Sequence, residues 1–280
     1  MLAEMGVRVW APRARPAEAS QADPARGAVN APPKPPVAGT VSPAATLRGT
    51  PTLPARSPAA VPLAAAAVAP PAEPAAAPAG QRPAGIDTLD WPQLQAAVAA
   101  CQACGLCQSR TNTVFGVGDT ASDWMVVGEA PGQNEDLQGE PFVGAAGQLL
   151  DNMLRAVGRS RSGQGAQGAY IANVLKCRPP ANRNPQPAEV VQCEPFLARQ
   201  VALVKPKVIV AMGRFAVQSL LQTTEPIGRL RGRVHRYQDV PVIVTYHPAY
   251  LLRTPTDKGK AWADLCLAME TLEGGGLKGE

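Results

Sequence analysis

From residue 86 onward, apolar positions recur in two distinct periods; before it they follow neither. Asp90-Trp91-Pro92 sets an acidic cap and an early proline ahead of Leu94, Val98 and Ala99 at helical spacing, which predicts a helix over residues 86–100. Trp124 to Val127 reads as a strand ending at Gly128, and Ala145 to Val157 as a helix with Leu149, Leu150, Met153 and Leu154 on one face. Tyr170 to Leu175 reads as a strand and Ala188 to Val204 as a helix. Val208 to Met212, Arg214 to Leu221, Val242 to Tyr246 and Asp257 to Leu272 continue as strand, helix, strand and helix. This order predicts an α/β fold: three α/β/α layers around a central four-stranded parallel sheet covered on both faces.

Composition separates the first 85 residues from this domain. They hold 26 Ala, 17 Pro and a single aromatic, Trp10. Such a segment buries too little apolar surface to offset an ordering cost of roughly 1–2 kcal/mol per residue, so residues 1–85 are expected to be a disordered, partly extended Pro/Ala tail and residues 86–280 the functional domain. The tail has eight Lys and Arg against four Asp and Glu, and the domain 19 against 18, so a polyanion site in the domain must be a local patch. Arg229, Arg231, Arg233, His235 and Arg236 form one candidate basic loop. The most apolar stretch, Val61 to Val68, is short and runs into Pro70 and Pro71, so no membrane span is expected and the chain is placed in the cytosol, as a monomer.

In open α/β sheets ligands bind beyond the carboxyl ends of the strands. Three unusual segments fall there: Gly128-Glu129-Ala130-Pro131-Gly132, Asn173 through Pro180, and His247-Pro248-Ala249-Tyr250. They are expected to converge in one cleft. Phe142, between Gly139 and Gly144, serves either as a core plug or as a stacking surface. The cysteines are spaced Cys101-x2-Cys104-x2-Cys107 and Cys177-x15-Cys193, with Cys266 alone inside a helix. In a cytosolic chain such clustering suits a four-thiolate site for zinc or an iron–sulfur cluster, and the spacing does not choose between them.

Several motifs occur in order: Cys101-x2-Cys104-x-Leu106 with Arg110; Val114-Phe115-Gly116-x-Gly118; Gly128 to Gly132 with Glu135-Asp136; Pro141 to Gly144; Asn173 to Pro180; Cys193; and His247 to Arg253. In these the chain resembles the family 4, iron–sulfur uracil-DNA glycosylases, over roughly Thr88 to Glu270. The resemblance implies a [4Fe-4S] cluster on Cys101, Cys104, Cys177 and Cys193, with Cys107 and Cys266 spare. It implies uracil-containing DNA as partner and removal of uracil as the activity.

The chemistry suits that implication. Asn173 offers a donor and an acceptor for the edge of a flipped uracil, and Phe142 a face to stack on. His247 would donate to O2 as charge builds on the leaving base, with a neutral imidazole sufficing. Gly128 and Ala130 would shape the pocket, Glu129 would position water or exclude thymine's methyl group, and Leu251, Leu252 and Arg253 would wedge into the duplex. A different class of reading is a relative that captures uracil-DNA without turnover, through a His in an inserted loop between the third and fourth cluster ligands; Cys177 to Cys193 contains no His. An electron-transfer protein is disfavoured because no flavin or nicotinamide fingerprint is present.

Overall fold

The computed structural model describes Gly80 and residues 82–274; the greater part of the Pro/Ala segment lies outside the described residues. Helix α1 (Trp91–Ala99) starts as its sequence predicts. Asp90 accepts from the Gln93 amide at 2.9 Å, and the Gln93 side chain accepts from the Asp90 amide at 3.1 Å, a reciprocal cap. The residues before it, Ile86–Thr88, form a separate 3-10 turn rather than the first turn of one long helix.

Five strands make one sheet: β1 (Trp124–Gly128), β2 (Tyr170–Asn173), β3 (Val208–Met212), β4 (Val234–Tyr237) and β5 (Val240–Thr245), in the order β2-β1-β3-β5-β4. The four strands expected from the sequence are parallel to one another, with β1 between β2 and β3, and β5 beside β3. The fifth, β4, is antiparallel to β5 and corrects the four-stranded expectation. It runs through part of the segment read as a basic loop. Its four residues include His235 and Arg236, and its two-residue turn is Gln238-Asp239, both at positive φ (47° and 64°). That is the twist a tight hairpin needs, achieved without the Asn-Gly or Asp-Gly pair that would advertise it.

Helices cover both faces. One face carries Val126, Val210 and Ile243 against Leu150 and Met153 of α3 (Ala145–Ala156) and Leu265 of α8 (Lys258–Glu273). The other carries Met125, Val127, Ile209 and Val244 against Leu197 and Val201 of α4 (Pro187–Val204) and Val217 of α5 (Arg214–Leu221). Every residue of β1 and β3 is buried, which is why their sequences read as continuous apolar runs. Pro195 lies inside α4 and cannot donate to the Val191 carbonyl one turn earlier; Arg82 donates there instead, at 3.4 Å. Along the outer edge of β2, Val117 and Ile171 exchange hydrogen bonds of 2.9 and 2.7 Å. Among the described residues three short α-helices complete the set: α2 (Gln133–Gln138), α6 (Ile227–Leu230) and α7 (Pro248–Arg253).

Candidate active site

The carboxyl ends of β1, β2 and β5 deliver Glu129, Asn173 and His247 to the rim of one cleft of about 500 Å³, as the strand-end argument requires. Ala130, Phe142 and Arg253 also line it. Gly128 lies behind the wall, in β1. A Cβ there would come within 2.4 Å of Asn173 Oδ1 and 2.5 Å of Phe142 Cζ, so the missing side chain is what lets the amide and the ring sit side by side.

Asn173 is buried, and among the described residues its Oδ1 has no hydrogen-bond partner. An orphaned buried acceptor is costly, typically about 1–3 kcal/mol, and one that lines a cleft is open to a ligand. Phe142 is buried at φ +56°, with its ring stacked near His247 at a centroid distance of 5.4 Å and 26° between planes.

His247 caps α7: its Nδ1 accepts from the Ala249 amide at 3.1 Å, which puts the ring proton on Nε2. Burial, reinforced by the Arg253 charge and partly opposed by Glu135, lowers its pKa to about 4. The imidazole is therefore neutral at physiological pH and still a donor through Nε2. Glu129 is half-buried; burial pushes its carboxyl up to about 7, with Arg214 pulling the other way.

Glu135 has a larger part than its place in a motif suggested. Its Oε2 accepts from Gly132 at 3.1 Å, and its Oε1 from Val143 at 3.0 Å and Gly144 at 3.2 Å. The loop after β1 is thereby tied to the turn that presents Phe142. The sequence signal was available: an acidic residue at the third position of α2, where a capping carboxylate belongs.

The pattern of the uracil DNA glycosylase superfamily matches residues 115–266. Three type-4 uracil-DNA glycosylases are similar over the domain. That of Archaeoglobus fulgidus is 45% identical over 166 residues, covering 56% of this chain and 81% of the relative. That of Thermotoga maritima is 42% identical over 163 residues (58% and 82%), and that of Pyrobaculum aerophilum 38% identical over 197 residues (68% and 96%). The chain belongs to the family 4 uracil-DNA glycosylases.

The cysteine set that resemblance to family 4 implies lies around a second, small cavity. Cys101, Cys104, Cys177 and Cys193 line it, and so does Cys107; Cys266, in α8, does not. Burial pushes the Cys177 thiol up to about 11 and the Cys193 thiol to about 12, each raised further by neighbouring cysteines. Arg110 donates to Cys177 Sγ at 3.1 Å. Among the described residues no three His, Cys, Asp or Glu side chains are placed to hold a metal ion. A zinc ion would gather its thiolates around one atom, with Zn–S bonds of about 2.3 Å, whereas a four-iron cluster binds each thiolate at a different iron. Four thiols gathered on one cavity are a donor set that a four-iron cluster accepts.

Other features of this family 4 chain correct the sequence reading. Leu251, expected in the wedge, is fully buried in the core that contains Leu149 and Leu150, while Leu252 is 43% exposed. Successive helical positions diverge by roughly 100°, so only one of two neighbouring leucines can face outward. In the basic segment, Arg231 is committed to the buried Asp264 at 2.7 Å and lies over the Tyr246 ring, so it is not free for phosphates. Lys176 is fully buried and does not line the cleft: its Nζ donates to the Asn173 carbonyl at 2.7 Å and to Gln200 Oε1 at 2.6 Å, which leaves no free amine for Schiff-base chemistry there.

Proposed function

We propose that this chain hydrolyses the N-glycosidic bond of uracil in single- or double-stranded DNA, releasing free uracil and leaving an abasic site that initiates base excision repair. The observation that carries the proposal is the unpartnered Oδ1 of Asn173, aligned beside an aromatic ring and a neutral histidine donor. A flipped uracil offers N3–H to that oxygen and O4 to the amide nitrogen, so the orphaned acceptor is satisfied only when the right base arrives. Phe142 stacks on the ring. His247 donates from Nε2 to O2 as negative charge gathers on the departing base, and because it is already neutral its donor need not be created during the reaction.

Glu129, with a pKa near 7, orients the attacking water on the sugar side, where positioning suffices if the sugar cation forms ahead of attack. Leu252, rather than Leu251, is the apolar side chain available to fill the space a flipped base leaves. Cys101, Cys104, Cys177 and Cys193 would hold a [4Fe-4S] cluster, which would bind together the segment after α1, the segment after β2 and α4. Among the described residues no helix is long and apolar enough to cross a membrane.

The deciding experiment incubates the chain with a uracil-containing oligonucleotide in excess. Multiple-turnover release of free uracil is expected, with strand cleavage only after alkali and no borohydride-trapped adduct. At most one round per enzyme, with the DNA held covalently afterwards without borohydride, would establish the capture reading, and a borohydride-trapped adduct lost in Lys176→Ala would establish lyase chemistry.

A further inference from the structure

Phe142 is set by a cation that no motif picked out. Arg161, in the segment after α3, directs three hydrogen bonds into the turn preceding that helix and a fourth into the helix. Its Nη2 donates to the Phe142 carbonyl at 2.8 Å, and its Nη1 to the Pro141 carbonyl at 3.1 Å and to Glu140 Oε1 at 2.9 Å. Its Nε donates to Asp151 Oδ1 at 2.8 Å, which anchors the guanidinium to α3 itself. The side chain is 18% exposed, so these bonds are largely shielded from water.

Phe142 needs such a hold. Its φ of +56° is a left-handed backbone that an aromatic residue rarely adopts, and nothing in its own chemistry favours it. Gly147 gives way to the same carbonyl: a Cβ there would lie 1.7 Å from the Phe142 oxygen. That oxygen thus accepts from a guanidinium and is left room by a glycine.

We propose that Arg161 is the positioning residue for the base-stacking ring: by fixing the carbonyls of Pro141 and Phe142 it holds Phe142 in the orientation that receives uracil. The inference rests on the proposed function and adds to it a residue outside the cleft lining. Only a planar fork with several donors can serve two carbonyls and two carboxylates together, so lysine is a poor substitute despite its charge.

The test compares Arg161→Gln and Arg161→Lys, each in the wild-type and Phe142→Ala backgrounds, by single-turnover uracil release, inhibition by free uracil, and affinity for uracil-free DNA. In the wild-type background Arg161→Gln is expected to lower the rate and weaken inhibition by free uracil on the order of tenfold each, with affinity for uracil-free DNA unchanged. Arg161→Lys should recover little of either. In Phe142→Ala the same substitutions should change the rate less than about twofold, because the ring they act through is gone. Equal losses in both backgrounds would make Arg161 a general stabiliser and overturn the inference, as would full activity in Arg161→Gln. A wild-type chain releasing no uracil would instead overturn the proposed function, and this inference with it.

Discussion

Asn173 faces the cleft and Cys177 the cysteine cavity, with three residues between them. The two hollows obey opposite rules. In the cleft an amide oxygen is left without a partner, a histidine keeps one donor free and a carboxyl is raised to about 7. Beside the cavity the long polar side chains are engaged: Arg110 reaches Cys177, and Lys176 joins the Asn173 carbonyl to Gln200, which in turn donates to the Phe115 carbonyl at 2.9 Å and the Tyr170 hydroxyl at 3.0 Å. Satisfied buried groups hold a fold in one arrangement, whereas unsatisfied ones wait for something to bind. The short link is itself secured, with the amides of Val174 and Leu175 donating to the carbonyls of Gly128 and Glu129 at 3.0 and 3.1 Å.

The contrast is broken most forcefully at the cavity. Cys177→Ser is expected to lose iron and to lower the thermal midpoint markedly, whereas Cys266→Ser should keep both, as metal analysis and calorimetry would report; stoichiometric zinc and no iron in anaerobically prepared protein would refute the cluster. Within the cleft, His247→Ala should retain most of its DNA affinity while losing on the order of 10²–10³ in single-turnover rate, the range for deleting one charge-stabilising donor. Asn173→Ala should weaken capture of the flipped base as well, so the two variants separate under paired binding and rate measurements. If His247→Ala lost binding and kept its rate, the leaving-group role would pass elsewhere.

A smaller effect concerns pH. In the proposed role Glu129 orients water as the carboxylate, and burial pushes its carboxyl up to about 7, so the rate is expected to be level above pH 7 and to fall about tenfold per unit well below it. His247, lowered to about 4, stays neutral across that range and adds no limb of its own. Glu129→Gln should flatten the profile at a reduced rate. An acid limb surviving in that variant would remove Glu129 from the chemistry.

The parallel strands were legible because burial on both faces leaves continuous apolar runs, and the cleft followed from where those runs end. The cysteines could be read from spacing alone as a four-thiolate set, though not as zinc or iron. What escaped was decided by neighbours distant in sequence. Leu251 and Leu252 are chemically alike, and only the packing of α7 against α3 selects which is buried. Arg231 looked like one of several free cations until the fold brought Asp264 beside it, 33 residues along the chain. The β4 strand hid because its turn is built from Gln238-Asp239. Arg161 carried no signal at all, since its four acceptors lie on two separate segments that meet only in the folded chain.

The two rims of the sheet bear on how the protein behaves in a crowd. A strand with free amides along its side invites another chain to pair with it, and the risk grows wherever many copies assemble on one polymer. Here the β2 rim is met by Val117, and the other rim is the short β4, which carries His235 and Arg236. Copies gathering along a stretch of DNA therefore meet one another without a long bare edge, which favours solubility over aggregation at high local density.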